Sequence, residues 1–390
     1  LKSLGLQYLL PTLLGVFHIS CSEEKQFSGQ EIFVEVSPKI TAYFADTDMS
    51  AQYPFPFSTF LDSELLLSHN VMRSSLDTLY FEGDTLKIKE GHYLEKDGPR
   101  RTEGINNLIN TSYGLVLFNA KTIMIDKDGH SDVENFRLIE SRLFEDNVFY
   151  GLAAGGVSYY LDLFYKGYDK QRACIYFFAR DFKSKEFKLI KFDLEEKRFK
   201  EVPMWASVDL INAHEVEFKN VAKNHMPFIF IQNDKLVLSY NYSSEFSVID
   251  LKSEKVEERN FPSNLFKLKK NPFKEISRNY ELSDSEDFQK VMDLLDEWDK
   301  DVAFGNFEKL PKGKGFCRLV KSPQISEEAP VQLNMEFFDN YFKKTGEVNL
   351  TEKEPDLSTL FFLVGDRLFF KAKKQEDENY LDYYFVDVDF

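Results

Sequence analysis

Residues 228–261 read FIFIQNDKLVLSYNYSSEFSVIDLKSEKVEERNF, and their pattern decides the fold class. Phe228–Ile231 is an apolar run of strand length, and Gln232-Asn233-Asp234 is turn chemistry. Leu236–Tyr242 is a second strand, closed by Ser243-Ser244. Phe246–Leu251 is a third, closed by Lys252-Ser253, and Val256–Phe261 is a fourth with charges on alternate positions. Four consecutive strands with tight connections predict one antiparallel meander. A β-propeller repeats that unit around an axis.

Working outward, the same grammar recurs. Ile175–Ala179, Phe187–Leu194 and Arg198–Val202 form a group in which Phe192-Asp193-Leu194 is the counterpart of Ile249-Asp250-Leu251. Leu115–Phe118 and Thr122–Asp126 run into Asp128-Gly129, a hairpin signal. Leu79–Glu82 and Thr85–Lys89 flank Gly83-Asp84. Leu360–Val364 and Arg367–Lys373 flank Gly365-Asp366, and Tyr383–Val388 follows. A body of about 360 residues at about 45–60 per unit holds six to eight units. The expectation is an all-β, six-bladed propeller with seven as the alternative count, and a two-domain Greek-key sandwich is the rival architecture. One helix interrupts the strands at 284–302. There Phe288, Val291, Met292, Leu295, Trp298 and Val302 recur at helical spacing, and Ser283 or Asp284 is placed to cap. A single apolar stripe predicts packing on the rim of the ring.

The first 20 residues read differently. Leu4–Phe17 is mostly apolar and uncharged, follows Lys2, contains Pro11, and is shorter than the ~20 residues a membrane-spanning helix needs. His18-Ile19-Ser20-Cys21 follows, and then Ser22-Glu23-Glu24-Lys25-Gln26 turns abruptly polar. A small residue before a cysteine at the end of an apolar run resembles a bacterial lipobox, although His18 stands where Leu or Val is usual. That resemblance implies a lipoprotein signal peptide over 1–20, acylation of Cys21, a linker over 21–31 and a propeller domain over 32–390. Several acyl chains on one residue give durable anchoring. Ser22, followed by Glu23-Glu24 beside Lys25, is similar to the short signal that sends Bacteroidota lipoproteins to the cell surface.

A wider resemblance rests on three stretches. They are Tyr93–Pro99 with its Lys-Asp-Gly-Pro turn, Phe304-Gly305-Asn306-Phe307 leading to Gly315-Phe316-Cys317-Arg318-Leu319, and Tyr240–Leu251. Together they resemble a family of uncharacterised Bacteroidota surface lipoproteins with six-bladed β-propellers. The likeness implies fold and an outer-membrane, cell-surface location, and it implies no activity. In the same context, Asp77-Thr78-Leu79 and Asp84-Thr85-Leu86 look like O-glycosylation acceptors.

Composition bounds the rest. Among 390 residues, 39 Phe and 19 Tyr supply a large core, so the chain is not intrinsically disordered. A formal charge of -16 repels phosphate backbones and argues against a nucleic-acid partner. Three cysteines are too few for a disulfide scaffold. Cys174 and Cys317 each sit in apolar strands and read as inert thiols, with their pairing left open. The six histidines have no ligand spacing, so no metal or cofactor is expected. His214-Glu215-Val216-Glu217 lacks the second histidine of a zinc protease, and Asp126-Lys127-Asp128-Gly129 lacks the later acids of a calcium loop. There is no nucleophile elbow or phosphate loop, and Gly155-Gly156 reads as a strand corner.

No catalytic residue is therefore assigned; the one site residue is Cys21. The expected function is a surface lipoprotein with a non-catalytic binding propeller, whose partners are the lipid anchor and a glycan or protein ligand. The alternatives are a glycan hydrolase using carboxylates at the propeller axis and a purely structural envelope protein. Tyr159-Tyr160, Tyr240, Tyr242 and Tyr383-Tyr384 are candidates to line the propeller mouth.

Overall fold

A computed structural model describes residues 32–44, 58–70, 73–94, 105, 107–118, 122–127, 133–141, 143, 148–150, 166–181, 187–214, 216–218, 221–223, 226–272, 285–324, 326 and 331–390. Cys21, the apolar leader, Gly155-Gly156 and Tyr159-Tyr160 lie outside them.

Among the described residues, six antiparallel sheets of four or five strands follow one another along the chain, with a two-stranded pair, Val216–Phe218 and Val221–Lys223, between the third and fourth. Blade 1 covers 58–93, blade 2 covers 107–137 and blade 3 covers 148–202. Blade 4 covers 228–259, blade 5 covers 303–349 and blade 6 covers 357–389. Within blades 1, 2, 4 and 5 the four strands pair in sequence order, each with its successor. Blade 3 adds a short strand, Val148–Tyr150, beside the same partner as Lys166–Asp169. A six-bladed ring is thus formed, and the seven-blade and sandwich alternatives fall.

The ring is closed by the beginning of the described chain. Phe33–Val36 pairs antiparallel with the last strand, Phe33 opposite Asp389 and Val36 opposite Val386. Ile40–Tyr43 continues along the same strand. Blade 6 therefore takes its outermost strand from residues before blade 1, which removes a free sheet edge there.

Hydrophobic side chains gather in the seams between blades, one cluster to each seam. Leu76, Leu108 and Met124 lie between blades 1 and 2. Phe118, Ile175 and Phe192 lie between 2 and 3, and Phe178, Phe228 and Leu238 between 3 and 4. Phe246, Phe307 and Phe338 lie between 4 and 5. Met335, Phe337 and Phe370 fill the fifth seam, and Leu79, Phe369 and Phe385 the sixth. Period two explains the division, because neighbours on one strand face opposite sheet surfaces. Phe177 enters the seam toward blade 2 while Tyr176 and Phe178 enter the seam toward blade 4. Seams between twisted sheets are wide, and phenylalanine fills them without a polar tip to satisfy.

The counterpart residues Asp193 and Asp250 occupy equivalent places, each closing the third strand of its blade. Their carboxylates accept backbone N–H groups of the turn that follows: Glu195 and Glu196 at 3.1 and 3.0 Å, Lys252 and Ser253 at 3.0 and 2.9 Å. Asp339 does the same after the third strand of blade 5, accepting from Tyr341 and Lys343. This Asx turn is the repeat's local signature.

The helix expected at 284–302 spans Ser285–Lys300 (α2), with the cap positions Ser283 and Asp284 outside the described residues. A second, short helix, Val208–Ala213 (α1), was not evident in the sequence; Ser207 caps it by accepting the Leu210 N–H. Both pack on the seam between blades 3 and 4, α1 through Ile211 and α2 through Leu294, Leu295 and Trp298. Met292 packs, partly buried, beside those three side chains.

One turn differs from expectation. Ser243-Ser244 belongs to the third strand of blade 4, and Asn241-Tyr242 makes the turn before it. Tyr242 is fully buried and stacks on His214 with ring centroids 4.1 Å apart. Burial under α2 thus draws an aromatic into a turn that surface chemistry alone would give to the serines.

Candidate functional site

Because each blade is a meander, the turns after the first and third strands emerge on one face of the ring. On that face a cleft of about 590 Å³ opens over blades 4, 5 and 6. Blade 4 contributes Gln232–Lys235 from its first turn, with Asp250 and Lys252 from its third. Blade 5 contributes Lys309, Leu310, Lys312, Gly313, Gly315 and Phe316 with Asn340–Phe342, and blade 6 contributes Leu363, Gly365 and Asp366.

The floor is aromatic and closed. Phe316 and Phe342 stack face to face, 4.4 Å apart and 3° from parallel, and both are buried. Phe342 holds a left-handed backbone with φ +60°, a sparsely populated state for a bulky residue. That turn projects its neighbour Tyr341 outward, and Tyr341 is 83% exposed. Gly315, at φ +112°, brings its backbone against strand three; a Cβ there would sit 2.1 Å from the Phe338 carbonyl oxygen. Only glycine fits that approach.

The walls are polar. Four lysines and three aspartates line the cleft, on a chain with a formal charge of -16. Two of the aspartates are engaged. Asp250 takes the Lys235 ammonium at 2.7 Å, and that contact, with the turn hydrogen bonds, holds its carboxyl far below the usual range. Asp234 is shared by Lys252 at 2.6 Å and Arg172 at 2.8 Å, and both contacts lower its pKa. Arg172 comes from blade 3, so this pair also ties adjacent blades. Lys309 and Lys312 are exposed and form no ion pair among the described residues. Among the described residues the Gln232 and Asn233 side-chain amides make no hydrogen bond, and Asn340 spends one N–H on the Gly313 carbonyl at 3.3 Å.

Glu308, next to Lys309, sits on the innermost strand of blade 5 opposite Cys317. Desolvation pushes its carboxyl up to about 7, the nearby Lys309 opposing that shift.

The tyrosines expected at the mouth are elsewhere. Tyr240, Tyr242, Tyr383 and Tyr384 are all buried. The Tyr240 hydroxyl accepts the Ser207 N–H. Tyr383 donates to the Asp84 carbonyl at 2.6 Å and accepts from the Leu86 N–H, stitching blade 6 to blade 1. These rings face the seams, since alternation along a propeller strand points side chains at neighbouring blades. Tyr341, the one exposed tyrosine in the cleft, escaped notice because its surroundings (Asn340, the Asx-type Asp339) read only as a turn.

Cys174 and Cys317 are free, buried thiols in different seams. Burial pushes the Cys174 thiol up to about 11 and Cys317 well above its usual value, so neither is a nucleophile at neutral pH. Among the described residues no group of three His, Cys, Asp or Glu side chains is gathered to hold a metal. No helix among them is long and apolar enough to cross a membrane. In the first glycosylation-like motif Asp77 is buried and accepts from Asn70, Ser75 and the Gly91 N–H, while Thr78 is half-buried. In the second, Asp84 pairs with Arg367 across the last seam at 2.7 Å.

No family model and no curated protein matches the chain. Solved structures do. The fold is that of a six-bladed β-propeller, and a member of the DUF4221 family from Bacteroides vulgatus superposes with TM-score 0.63 at 13% identity, over 92% of this chain and 99% of that one. The WD40 domain of Neurospora crassa Pan2 follows at TM-score 0.42 and 9% identity, over 90% and 95% of the two chains. A luciferin-regenerating enzyme matches at 0.41 and 8%, over 90% and 95%. At such identities the likeness speaks for the fold alone.

Proposed function

We propose that this chain is a cell-surface lipoprotein, acylated at Cys21 and tethered to the outer membrane, whose propeller is a non-catalytic binding module. The observation that carries the binding role is the cleft over blades 4–6, where an exposed ring, uncommitted amides and unpaired ammonium groups converge above a closed aromatic floor. Concave, pre-formed sites with a few convergent polar groups are where ligands settle. Two of its three aspartates are neutralised by lysine and arginine, which suits recognition better than proton transfer. The fold-level likeness to a Bacteroides protein is in keeping with the lipobox-like sequence around Cys21.

Metabolic labelling with palmitate tests the tether: label is expected on the parent and lost in Cys21→Ala. Retention of label in that variant overturns the anchor. For the binding role, immobilised protein is challenged with a panel of neutral and acidic polysaccharides, and with Asn340→Trp to fill the cleft. Retention by the parent, lost in the filled variant, supports the reading; no retention of any ligand by the parent refutes it.

The hydrolase reading has one favouring group, Glu308 on the inner strand, whose pKa is pushed up to about 7 by desolvation, since a glycosidase needs an acid of raised pKa. Reducing-end release from the same panel, abolished in Glu308→Gln, would replace the binding role with catalysis.

A further inference from the structure

Resting on the binding reading, we propose that the cleft takes an acidic polysaccharide, a chain of carboxylate-bearing sugar rings, with Tyr341 as the stacking platform and Lys309 and Lys312 as the carboxylate contacts. Three independent features meet there. The Tyr341 ring, 83% exposed, stands beside a buried Phe316–Phe342 stack that fixes the turn presenting it. An exposed flat ring on a rigid turn offers its face to the C–H face of a pyranose, and a phenol keeps its polar edge wet.

Around it, the Gln232, Asn233 and Asn340 amides each present a donor and an acceptor together, which matches vicinal hydroxyl groups. Lys309 and Lys312 supply positive charge and form no ion pair among the described residues; the carboxylates near them are Glu308, whose pKa Lys309 lowers, and Asp366 in the cleft wall. Lys312 is held at φ +56° in the turn between the first two strands of blade 5. The chain's overall charge of -16 makes this local excess of lysine the more selective, because the rest of the surface repels an anionic polymer.

An acidic peptide fits less well. Peptides are generally taken by an unpaired strand edge, an apolar groove or an aromatic-lined proline slot. This cleft is built from turns, and of its apolar residues Leu310, Phe316 and Phe342 are buried and Leu363 is half-buried.

Polygalacturonate, alginate, a neutral galactan and dextran are the probes, each titrated into parent protein, Lys309→Ala/Lys312→Ala and Tyr341→Ala by calorimetry or retardation in affinity gels. All three substitutions fall on exposed side chains, and circular dichroism with thermal melts verifies the fold. Expected is binding of an acidic polymer, weakened at least tenfold in the lysine pair and in Tyr341→Ala, and weakened by added salt as screening grows. Binding of the neutral polymers alone, indifferent to both lysines, overturns this inference while leaving a binding module. Acidic-polymer binding that survives all the substitutions removes the cleft from it. Failure of the acidic polymers to bind at all overturns the inference; failure of every ligand class also overturns the reading beneath it.

Discussion

Two seams of the same ring solve one packing problem with opposite chemistry. Between blades 2 and 3 the seam is dry: Phe118, Ile125, Ile175, Phe177, Ile190 and Phe192 meet with no charge among them, and ion pairs stay at the rim. There Glu134 takes Lys127 at 2.8 Å and Lys197 from blade 3 at 2.6 Å, all partly exposed. Between blades 4 and 5 a guanidinium stands in the core. Arg318 is 1% exposed, its central carbon 5.1–5.7 Å from the ring centres of Phe246, Phe304, Phe307 and Phe338. It donates to Glu336 at 2.8 Å and across the seam to the Ser244 carbonyl at 3.1–3.2 Å. Lys344, also buried, pairs with Glu336 and Glu347 and crosses to the Pro262 carbonyl at 3.0 Å. Apolar contact alone leaves blades free to slide slightly; directional donors aimed at named carbonyls of the next blade fix register. That seam also underlies the cleft, so the charged solution lies beneath the proposed binding site.

The contrast is broken most directly by Arg318→Ala. Removing one member of a buried pair leaves Glu336 short of its partner and opens a cavity, at a cost of about 3–5 kcal/mol, read by chemical denaturation. Arg318→Met with Glu336→Leu removes both charges while Lys344 keeps Glu347. The double variant is expected to recover most of the stability, yet to weaken ligand binding at the cleft if the network sets register. In the dry seam, Phe192→Ala is expected to cost about 3–4 kcal/mol, and no compensating second substitution of charge exists there.

A smaller, pH-dependent effect belongs to the seam between blades 3 and 4. His214 is buried against Tyr242 and Trp298, and desolvation, with Lys270 nearby, lowers its pKa to about 4. Its folded pKa lies below its unfolded value of about 6.5, so the unfolded chain binds the extra proton between them. Its stabilising share is complete above about pH 6.5 and is lost as pH falls toward 4. Urea unfolding at pH 7 and pH 5 is expected to differ by about 1–2 kcal/mol from this group, and His214→Phe should remove that component. Smallest of all, Lys197→Ala at the rim of the dry seam is expected to change stability by less than ~1 kcal/mol, as exposed ion pairs do. A larger loss would show that the rim, too, helps hold blades together.

Much of this ring was legible in the chain. The four strands of 228–261 predicted a blade, and the Asp193–Asp250 correspondence marked equivalent turns. The repeat looked irregular because α1, Val208–Ala213, and a small hairpin at 216–223 intervene between blades 3 and 4. Closure of blade 6 by Phe33–Val36 was hidden, since pairing between chain ends leaves no local pattern. The cleft was equally hidden: Tyr341, Lys309 and Lys312 come from separate turns, and only the ring brings those turns together. The aromatic–arginine strand at 316–319 was visible as a motif, but nothing in one strand says that four phenylalanines from two blades surround the cation.

The closing strand has a consequence for timing. The Ser37 hydroxyl receives the Phe385 N–H from 348 residues away, and Val34 lies opposite Val388. During synthesis on the ribosome, the early segment must therefore wait, unpaired, until Tyr380–Asp389 emerges. Five sheets can assemble one after another as they are made, but the circle cannot be sealed before the strand Tyr380–Asp389 has been synthesised.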